Sequence, residues 1–334
     1  MTSRQPRASI VIPVYNQAFL SRVCLASLCL ADLGDAEVIV VDNGSTDETP
    51  AMLVEWCAED GYRRHVLRSE ANLGFGEGCN RGASQSDSEF IVFLNNDTFV
   101  LRHWLTALLR PFCDPAVKVT GSRLLYPNGR IQHAGVAFNH LGPHHIFVGL
   151  PGDSPLVLEE RDYQVVTGAS QAIRREEFER LGGFDASYEN SFEDVDLCLK
   201  VRRDGGRVVY VPDSVAYHWE SMTEGRVGPQ DMHNYHLFMD RWRGHFEEDL
   251  PGLIAAAEAA GYDLSERVPS RREVIDRQKG IEEKAAALDG LRSNHPHLEV
   301  ELMELEGLRR MSRMRAVRAG LLTRRIFRTV FPRD

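Results

Sequence analysis

Apolar residues along the first 130 positions fall into two alternating patterns. Short apolar runs at Ser9–Val14, Glu37–Val41, His65–Arg68 and Phe90–Leu94 read as strands, and the stretches between them repeat apolar residues at helical spacing. The spacing predicts helices over Phe19–Leu30, from Ser45-Thr46-Asp47-Glu48 to about Asp60, over Gly76–Ala83 and over His103–Phe112. Strands apolar on both faces, each followed by a helix, predict a mostly parallel, doubly wound α/β sheet flanked by helices. In such sheets ligands sit at the carboxyl ends of the strands. Three of those ends are polar here: Pro13-Val14-Tyr15-Asn16, Val41-Asp42-Asn43-Gly44-Ser45 and Leu94-Asn95-Asn96-Asp97. One polar end is a turn; three on one rim make a ligand site.

From about Gly121 to Glu224 the pattern shortens. RLLYPNGRIQHAGVAF predicts a hairpin turning at Pro127-Asn128-Gly129. Gln164–Gly168, Arg207–Val211 and Ser214–His218 are further strand candidates, with a helix from Phe192 to about Arg203 between them. A helix over Asn234–Phe246 carries Leu237, Phe238, Arg241 and Trp242 at helical spacing. Past Pro251 the chain turns rich in Ala, Glu and Arg, interrupted by Pro269 and Pro296, and reads as a helical extension. The predicted boundary therefore separates a domain over 1–245 from an extension over 246–334.

Composition adds limits. With 43% hydrophobic and 26% charged residues the chain belongs to the soluble globular class. It holds no 18-residue apolar stretch, and the first apolar run is too short, and broken too early by Pro13, for a secretion signal. A cytoplasmic location is expected. The six cysteines (Cys24, Cys29, Cys57, Cys79, Cys113 and Cys198) lack metal-ligand spacing and read as small buried residues in a reducing compartment.

The net charge of −10 is unevenly spread. From Gly307 onward nine arginines face Asp334, a balance of +8, which leaves −18 on the preceding residues. An acidic body disfavours nucleic acid as a partner and marks the tail as a separate device.

Each candidate motif also has a plain structural reading. The glycines of ANLGFGEGCNRG (71–82) can pack a helix tightly on a sheet, or let backbone approach a phosphate. Asp42, before Asn43-Gly44, suits an Asx turn or a nucleobase N–H. Asp47 suits the start of a helix. Ser191-Phe192-Glu193-Asp194 matches a capping box, yet a carboxylate at a helix start, crowded by Glu193 and Asp196, also suits a general base. His218, ending the apolar run VAYH, is by itself more often a satisfied histidine than a metal ligand.

Together and in order, SIVIPVYN, VIVVDNGSTDET, ANLGFGEGCNRG, FIVFLNND, VTGASQAIRREEFERLGGFD, ENSFEDVDLCLKVRRDGGRVVYVPDSVAYH and NYHLFMDRW resemble the inverting glycosyltransferases of family 2, with the GT-A fold. The likeness spans about residues 8–245 and is closest in character to rhamnosyltransferases. It implies transfer of a sugar from a nucleoside-diphosphate donor to an acceptor hydroxyl, assisted by a divalent metal, Mg2+ or Mn2+. By position, Asp42, Pro13, Val14 and Tyr15 would receive the donor base, Asn72, Gly74 and Gly76 would flank the nucleotide, and Gly168 and Ala169 would border the donor sugar. Asn95 and Asn96 would stand beside the donor, with Asp97 and His218 facing the metal. Asp194 would be the base and Glu193 its neighbour.

Asn95 replaces a usual aspartate in the metal element, so less negative charge faces the cation. The Gln-x-x-Arg-Trp signature of processive synthases is absent, since Phe238 stands at the glutamine position. Single-sugar addition to a surface glycan or lipid-linked precursor is therefore expected. A non-catalytic nucleotide-sugar or glycan binding module is the alternative; the presence of Asp97, Asp194 and His218 speaks against it. A sugar nucleotidyltransferase would need a Gly-rich, basic loop after the first strand, which VIPVYNQAF lacks.

In 307–331, Leu308, Met311, Met314, Val317, Leu321, Leu322, Ile326, Phe327 and Val330 recur between arginines at helix-like spacing. A basic amphipathic helix can lie on the anionic inner face of a cell membrane, or pack on the acidic body or on a partner subunit of a homo-oligomer.

Overall fold

The β4-to-β11 contact at the centre of the sheet explains how the chain departs from a simple parallel winding. The computed structural model describes residues 7–58, 62–219 and 229–262. All of them belong to one unit comprising 1–219 and 225–268, and the predicted amphipathic tail lies outside the described residues. In chain order the elements are β1 (Ala8–Val14), α1 (Ala18–Leu30), β2 (Glu37–Asp42), α2 (Thr49–Cys57), β3 (Arg63–Arg68), α3 (Gly74–Ala83), β4 (Phe90–Leu94) and β5 (Thr98–Val100). Next come α4 (Trp104–Leu109), β6 (Val117–Leu125), β7 (Ile131–His133), β8 (Val136–Asn139), β9 (Gly142–His145), β10 (Arg161–Asp162) and β11 (Ser170–Arg174). The last are α5 (Arg175–Arg180), α6 (Glu193–Arg203), β12 (Arg207–His218), α7 (Pro229–Trp242) and α8 (Leu250–Ala259).

The main sheet runs β10-β12-β6-β11-β4-β1-β2-β3. Strands β4, β1, β2 and β3 are parallel, β11 runs against both β4 and β6, and β12 is parallel to β6. The expected doubly wound, mostly parallel sheet is present, with one reversed strand inside it. Side chains alternate along β1: Ile10, Ile12 and Val14 enter the core shared with α1, α2 and α4, whereas Val11 faces α3. Trp104 anchors the middle of that core, donating from Nε1 to Ser170 Oγ at 2.8 Å and Ser122 Oγ at 3.1 Å. Those serines lie on β11 and β6, so one buried indole ties the reversed strand to its neighbour.

Several boundaries differ from the sequence pattern, each for a local reason. The second helix starts at Thr49 because the backbone N–H groups of Ser45, Thr46 and Thr49 donate to Asp42 Oδ1, Asn16 Oδ1 and Asp47 Oδ1, at 2.8, 2.8 and 2.9 Å. The strand expected over Gln164–Gly168 begins instead at Ser170. Thr167 N and Gly168 N donate to side chains, His133 Nε2 at 3.4 Å and Asp194 Oδ2 at 2.7 Å, rather than to a ladder. Arg207–Val211 and Ser214–His218 are one strand, with a register shift between Val211 and Val215 absorbing Pro212. The hairpin at Pro127-Asn128-Gly129 forms between β6 and β7, with Gly129 at φ +79°. The cysteine expectation holds in part: Cys24, Cys79 and Cys198 are buried, but Cys57 and Cys113 are exposed because they fall at the ends of α2 and of the turn after α4.

The chain past 245 is tied to the rest through Asp249, whose carboxylate accepts from Phe138 N at 2.7 Å and Gln164 Nε2 at 2.9 Å. Among the described residues no helix is long and apolar enough to cross a membrane.

Helix α3 lies directly on the sheet. A Cβ at Gly82 would sit 2.4 Å from Val11 Cγ1 and 3.0 Å from Val41 Cγ2, and both valines are fully buried with nowhere to move. Gly82→Ala is expected to cost about 1–3 kcal/mol of stability, as overpacked cores do, measurable as a lower urea midpoint at unchanged slope.

Candidate active site

The turn after β4 places three polar side chains in three directions. The Asn95 carbonyl accepts from Thr98 Oγ1 at 2.7 Å and from Cys24 Sγ at 3.6 Å. Burial pushes the Cys24 thiol up to about 12, so it stays protonated and donates. Asn96 turns toward α1 and donates to Ser21 Oγ at 2.9 Å. Asp97 is then carried to β12, because β5 pairs antiparallel with that strand and sets Thr98 opposite His218.

That register brings the two expected metal ligands together. His218 Nε2 lies 3.0 Å from Asp97 Oδ1 and 3.2 Å from Asn95 Nδ2, and Trp219 N donates to the Asp97 carbonyl at 3.0 Å. The other imidazole nitrogen, Nδ1, lies 2.6 Å from Gln132 Oε1 on β7, and Gln132 Nε2 donates to the His218 carbonyl at 3.2 Å. Asp97 supplies a hard oxygen of the kind that suits Mg2+ or Mn2+, and His218 an imidazole nitrogen, a ligand more usual for transition-metal ions than for Mg2+. Asn95 Oδ1 is enclosed beside them without a hydrogen-bond partner among the described residues. These residues fit a divalent cation, but as a partial set: no cluster of three or more His, Cys, Asp or Glu converges among the described residues.

Asp194 stands on the other side of the Thr167–Ala169 segment. The capping box read from the sequence does not form: Phe192 occupies the cap position at φ +72° with no side-chain cap bond, and Ser191 Oγ accepts from Asn234 Nδ2 at 2.8 Å. Asp194 is left to accept from Gly168 N at 2.7 Å, with its second oxygen on Val195 N at 2.8 Å. Glu193 is buried beneath α3, where a Cβ at Gly76 would sit 3.7 Å from its Cγ. Asp196 faces away from Asp194 altogether. It accepts from Arg241 Nη1 at 2.9 Å and Trp242 Nε1 at 2.8 Å and pairs with Lys200 at 2.6 Å, joining α6 to α7.

The segment that separates these groups also connects them. Gly168 N bonds Asp194, and the next carbonyl, Ala169, accepts from Asn95 N at 3.0 Å. A chain of contacts therefore runs from Asp194 through Gly168-Ala169 and Asn95 to His218 and Asp97.

The nucleotide side is stitched at the ends of β1, β2 and β3. Asp42 accepts from Ser45 N at 2.8 Å and forms an ion pair with Arg68, whose Nη2 donates to the Ser45 carbonyl at 3.0 Å. The Asx turn is thus realised, and Arg68 shares the second oxygen. Val14 O accepts from Asn43 N at 2.8 Å, Pro13 packs under α3 near Gly78, and Tyr15 is half-buried at the rim. Asn72 Oδ1 accepts from Gly74 N at 2.9 Å, and Gly74 at φ +77° opens α3 in a conformation that an L side chain resists. Asn190 Oδ1 accepts from Phe75 N at 2.9 Å, linking this helix start to the loop before Asp194. The packing reading of the glycine motif holds at Gly78 and Gly82, while Gly74 shapes the backbone at the helix start.

Gln132, His133 and Arg68 were passed over by the sequence pattern. The available signal was a Gln-His pair inside the otherwise apolar strand of GRIQHAG. Burial, with neighbouring His145 and His218, holds His133 well below its ordinary value and therefore neutral, its Nε2 accepting from Thr167 N.

Residues 9–182 match the family model described as glycosyl transferase family 2, and the chain belongs to that family. The O-antigen biosynthesis protein RfbC of Myxococcus xanthus is 35% identical over 65% of this chain and 17% of its own length. An uncharacterized protein, y4gI, of Sinorhizobium fredii is 33% identical over 72% of this chain, which spans 28% of that relative. The N-acetylglucosaminyl-diphospho-decaprenol L-rhamnosyltransferase of Mycobacterium tuberculosis is 26% identical over 69% of this chain and 85% of its length. Among solved structures, GalNAc-T7 with UDP, GalNAc and Mn2+ superposes with a TM-score of 0.57 at 20% identity, covering 71% of this chain and 49% of that one. The mannosyltransferase PcManGT of Pyrobaculum calidifontis gives 0.51 at 19% identity over 91% and 87%. The fold is GT-A.

The two neighbouring carboxylates of α6 should separate in stability measurements. Asp196→Ala removes the buried acceptor of three donors and is expected to cost about 3 kcal/mol, the low end for a broken buried pair because Arg241 and Lys200 keep some water. Asp194→Asn keeps an oxygen for Gly168 N and should cost about 1 kcal/mol or less by urea unfolding.

Proposed function

We propose that this protein is a metal-dependent, inverting glycosyltransferase that adds one hexose or deoxyhexose from a nucleoside-diphosphate-sugar to a hydroxyl of a surface glycan or lipid-linked precursor. The observation that carries the reading is the Gly168-Ala169 segment, whose Gly168 N donates to Asp194 and whose Ala169 carbonyl accepts from the N–H of Asn95, beside Asp97 and His218. A displacement with inversion needs its base and its leaving-group site on opposite sides of the reacting carbon. A sugar lying along Gly168 and Ala169 meets that requirement.

Asp194 takes the proton of the acceptor hydroxyl as it attacks, a role that typically contributes about 10²–10⁴ in rate. Its bond to Gly168 N fixes one oxygen and aims the carboxylate. Glu193, sealed beneath α3, shapes the wall behind the sugar. Asp97 and His218 would hold the divalent cation, with Asn95 and Asn96 at the same turn. A bound cation supplies positive charge to the departing diphosphate oxygens. The start of α3, at Asn72, Gly74 and Gly76, flanks the nucleotide. Pro13, Val14, Tyr15 and Asp42 receive the base, Asp42 through the oxygen that half-exposed Arg68 now contacts.

The proposed acceptor class is supported by relatives named for O-antigen biosynthesis and for rhamnosyl transfer to a decaprenol-linked sugar. A binding module without turnover is the second reading, and the aimed Asp194 carboxylate speaks against it. The test is a donor screen that follows nucleoside diphosphate release with Mn2+, Mg2+ or EDTA, using wild type and Asp194→Asn. Expected are metal-dependent release, abolished by EDTA, and a loss of about 10²–10⁴ in the variant with donor binding retained. Turnover in EDTA removes the cation from the mechanism; equal turnover by the variant removes the base.

The basic segment from Gly307 is proposed to hold the enzyme at an anionic inner membrane surface, on the strength of its +8 charge against an acidic remainder. A chain truncated after Glu306 should lose co-sedimentation with phosphatidylglycerol-containing liposomes. Undiminished binding would assign the segment to the protein body or to a second subunit instead.

A further inference from the structure

We propose that Gln132 is a positioning residue that holds His218 in the one tautomer able to ligate a cation at Asp97; this rests on the proposed metal dependence. The assignment follows from what each atom can do. The His218 carbonyl only accepts, so the Gln132 atom 3.2 Å from it is the amide nitrogen. The amide oxygen then faces Nδ1 at 2.6 Å, and because it too only accepts, the proton sits on Nδ1. In the neutral ring Nε2 then keeps its lone pair, which accepts from Asn95 Nδ2 at 3.2 Å and has Asp97 Oδ1 3.0 Å away.

The opposite tautomer is favoured by charge alone. With its proton on Nε2, the imidazole would face Asp97 Oδ1 at 3.0 Å, an ion-pair distance without hydrogen-bond geometry, and no lone pair would be left for a cation. Asp97 pulls toward that state, and Gln132 opposes it from the far side of the ring. The glutamine is 5% exposed and the histidine 4%, so no water competes for Nδ1. Gln132 is also fixed from behind, since β7 pairs with β6 on both sides of it, at Ile131 and His133. An outer partner that sets the ring orientation of a ligating histidine commonly changes metal affinity by about 10–100-fold.

The test uses the full chain with Gln132→Met, which keeps length and loses the acceptor, and Gln132→Glu, which keeps an oxygen for Nδ1–H. Two readouts are needed: long-range 1H–15N spectra of His218 without metal at about pH 8.5, two units above the ordinary histidine value, and Mn2+ affinity by EPR in the presence of UDP or GDP. Wild type and the Glu variant should show the proton on Nδ1. The Met variant should shift it to Nε2 and bind Mn2+ about 10–100-fold more weakly. An unshifted spectrum with unchanged affinity in the Met variant, or a wild-type proton on Nε2, overturns the inference and leaves the transferase reading standing. Wild type that shows Nδ1–H yet binds no Mn2+ with either nucleotide overturns the metal dependence first, and this role of Gln132 with it.

Discussion

The pairing of three residues, β5 against β12, is the constraint on which the rest of the site depends. It sets Thr98 opposite His218 and so delivers Asp97 to the imidazole across 121 residues of sequence. Without it, the turn after β4 would be one more polar strand end. The pairing is short, and it is supported on both sides: Val100 N donates to Ser27 Oγ on α1 at 3.1 Å, and Trp219 N extends the ladder to the Asp97 carbonyl. Three backbone pairs could not hold two polar groups in register if either flank were free.

The reversed strand β11 plays the matching role for Asp194, the proposed base. A parallel strand in its place would enter the sheet from the opposite end. Because β11 is antiparallel, its N-terminal approach, Thr167 to Ala169, arrives at the rim where β4 ends, and two of its N–H groups are released from ladder bonding there. Those freed donors are taken by His133 and Asp194. The same backbone feature therefore positions a carboxylate and forms the floor on which a sugar can lie.

Much of this arrangement was legible in the sequence, and the limits have physical causes. Strands β1, β2 and β4 are continuous apolar runs because both faces are covered, and their polar ends mark the rim directly. Asp97, Asp194 and His218 were singled out because their surroundings form a recognisable ordered set of motifs. Whether Asp194 capped its helix or faced a neighbour could not be read, because both outcomes use the same Ser-x-x-Asp spacing; the left-handed Phe192 and the pull of Asn234 on Ser191 decide it. Asp196, two residues on, looked like part of the same acidic cluster. A helix turns by about 200° over two residues, which sends its carboxylate to Arg241 and Trp242 instead. Gln132 stayed hidden for a different reason: its partner is 86 residues away and meets it only after β6, β7 and β12 assemble.

The substitution of Asn95 for an acid changes what the site asks of its neighbours. A second carboxylate would attract a cation by charge alone, whatever state the histidine occupied. With one carboxylate and one imidazole, the imidazole lone pair becomes a large share of the protein's contribution, and the diphosphate must supply the remaining charge. Asn95 gives one group, its amide, to His218 Nε2 while its oxygen stays enclosed beside Asp97. Under the proposed metal dependence, an amide in this place would weaken cation binding in the absence of nucleotide and make occupancy of the cation follow occupancy of the donor. Such a site gains order from its outer contacts, from Gln132 behind the ring and from the β5–β12 register beneath it, where a more charged one would gain it from electrostatic attraction.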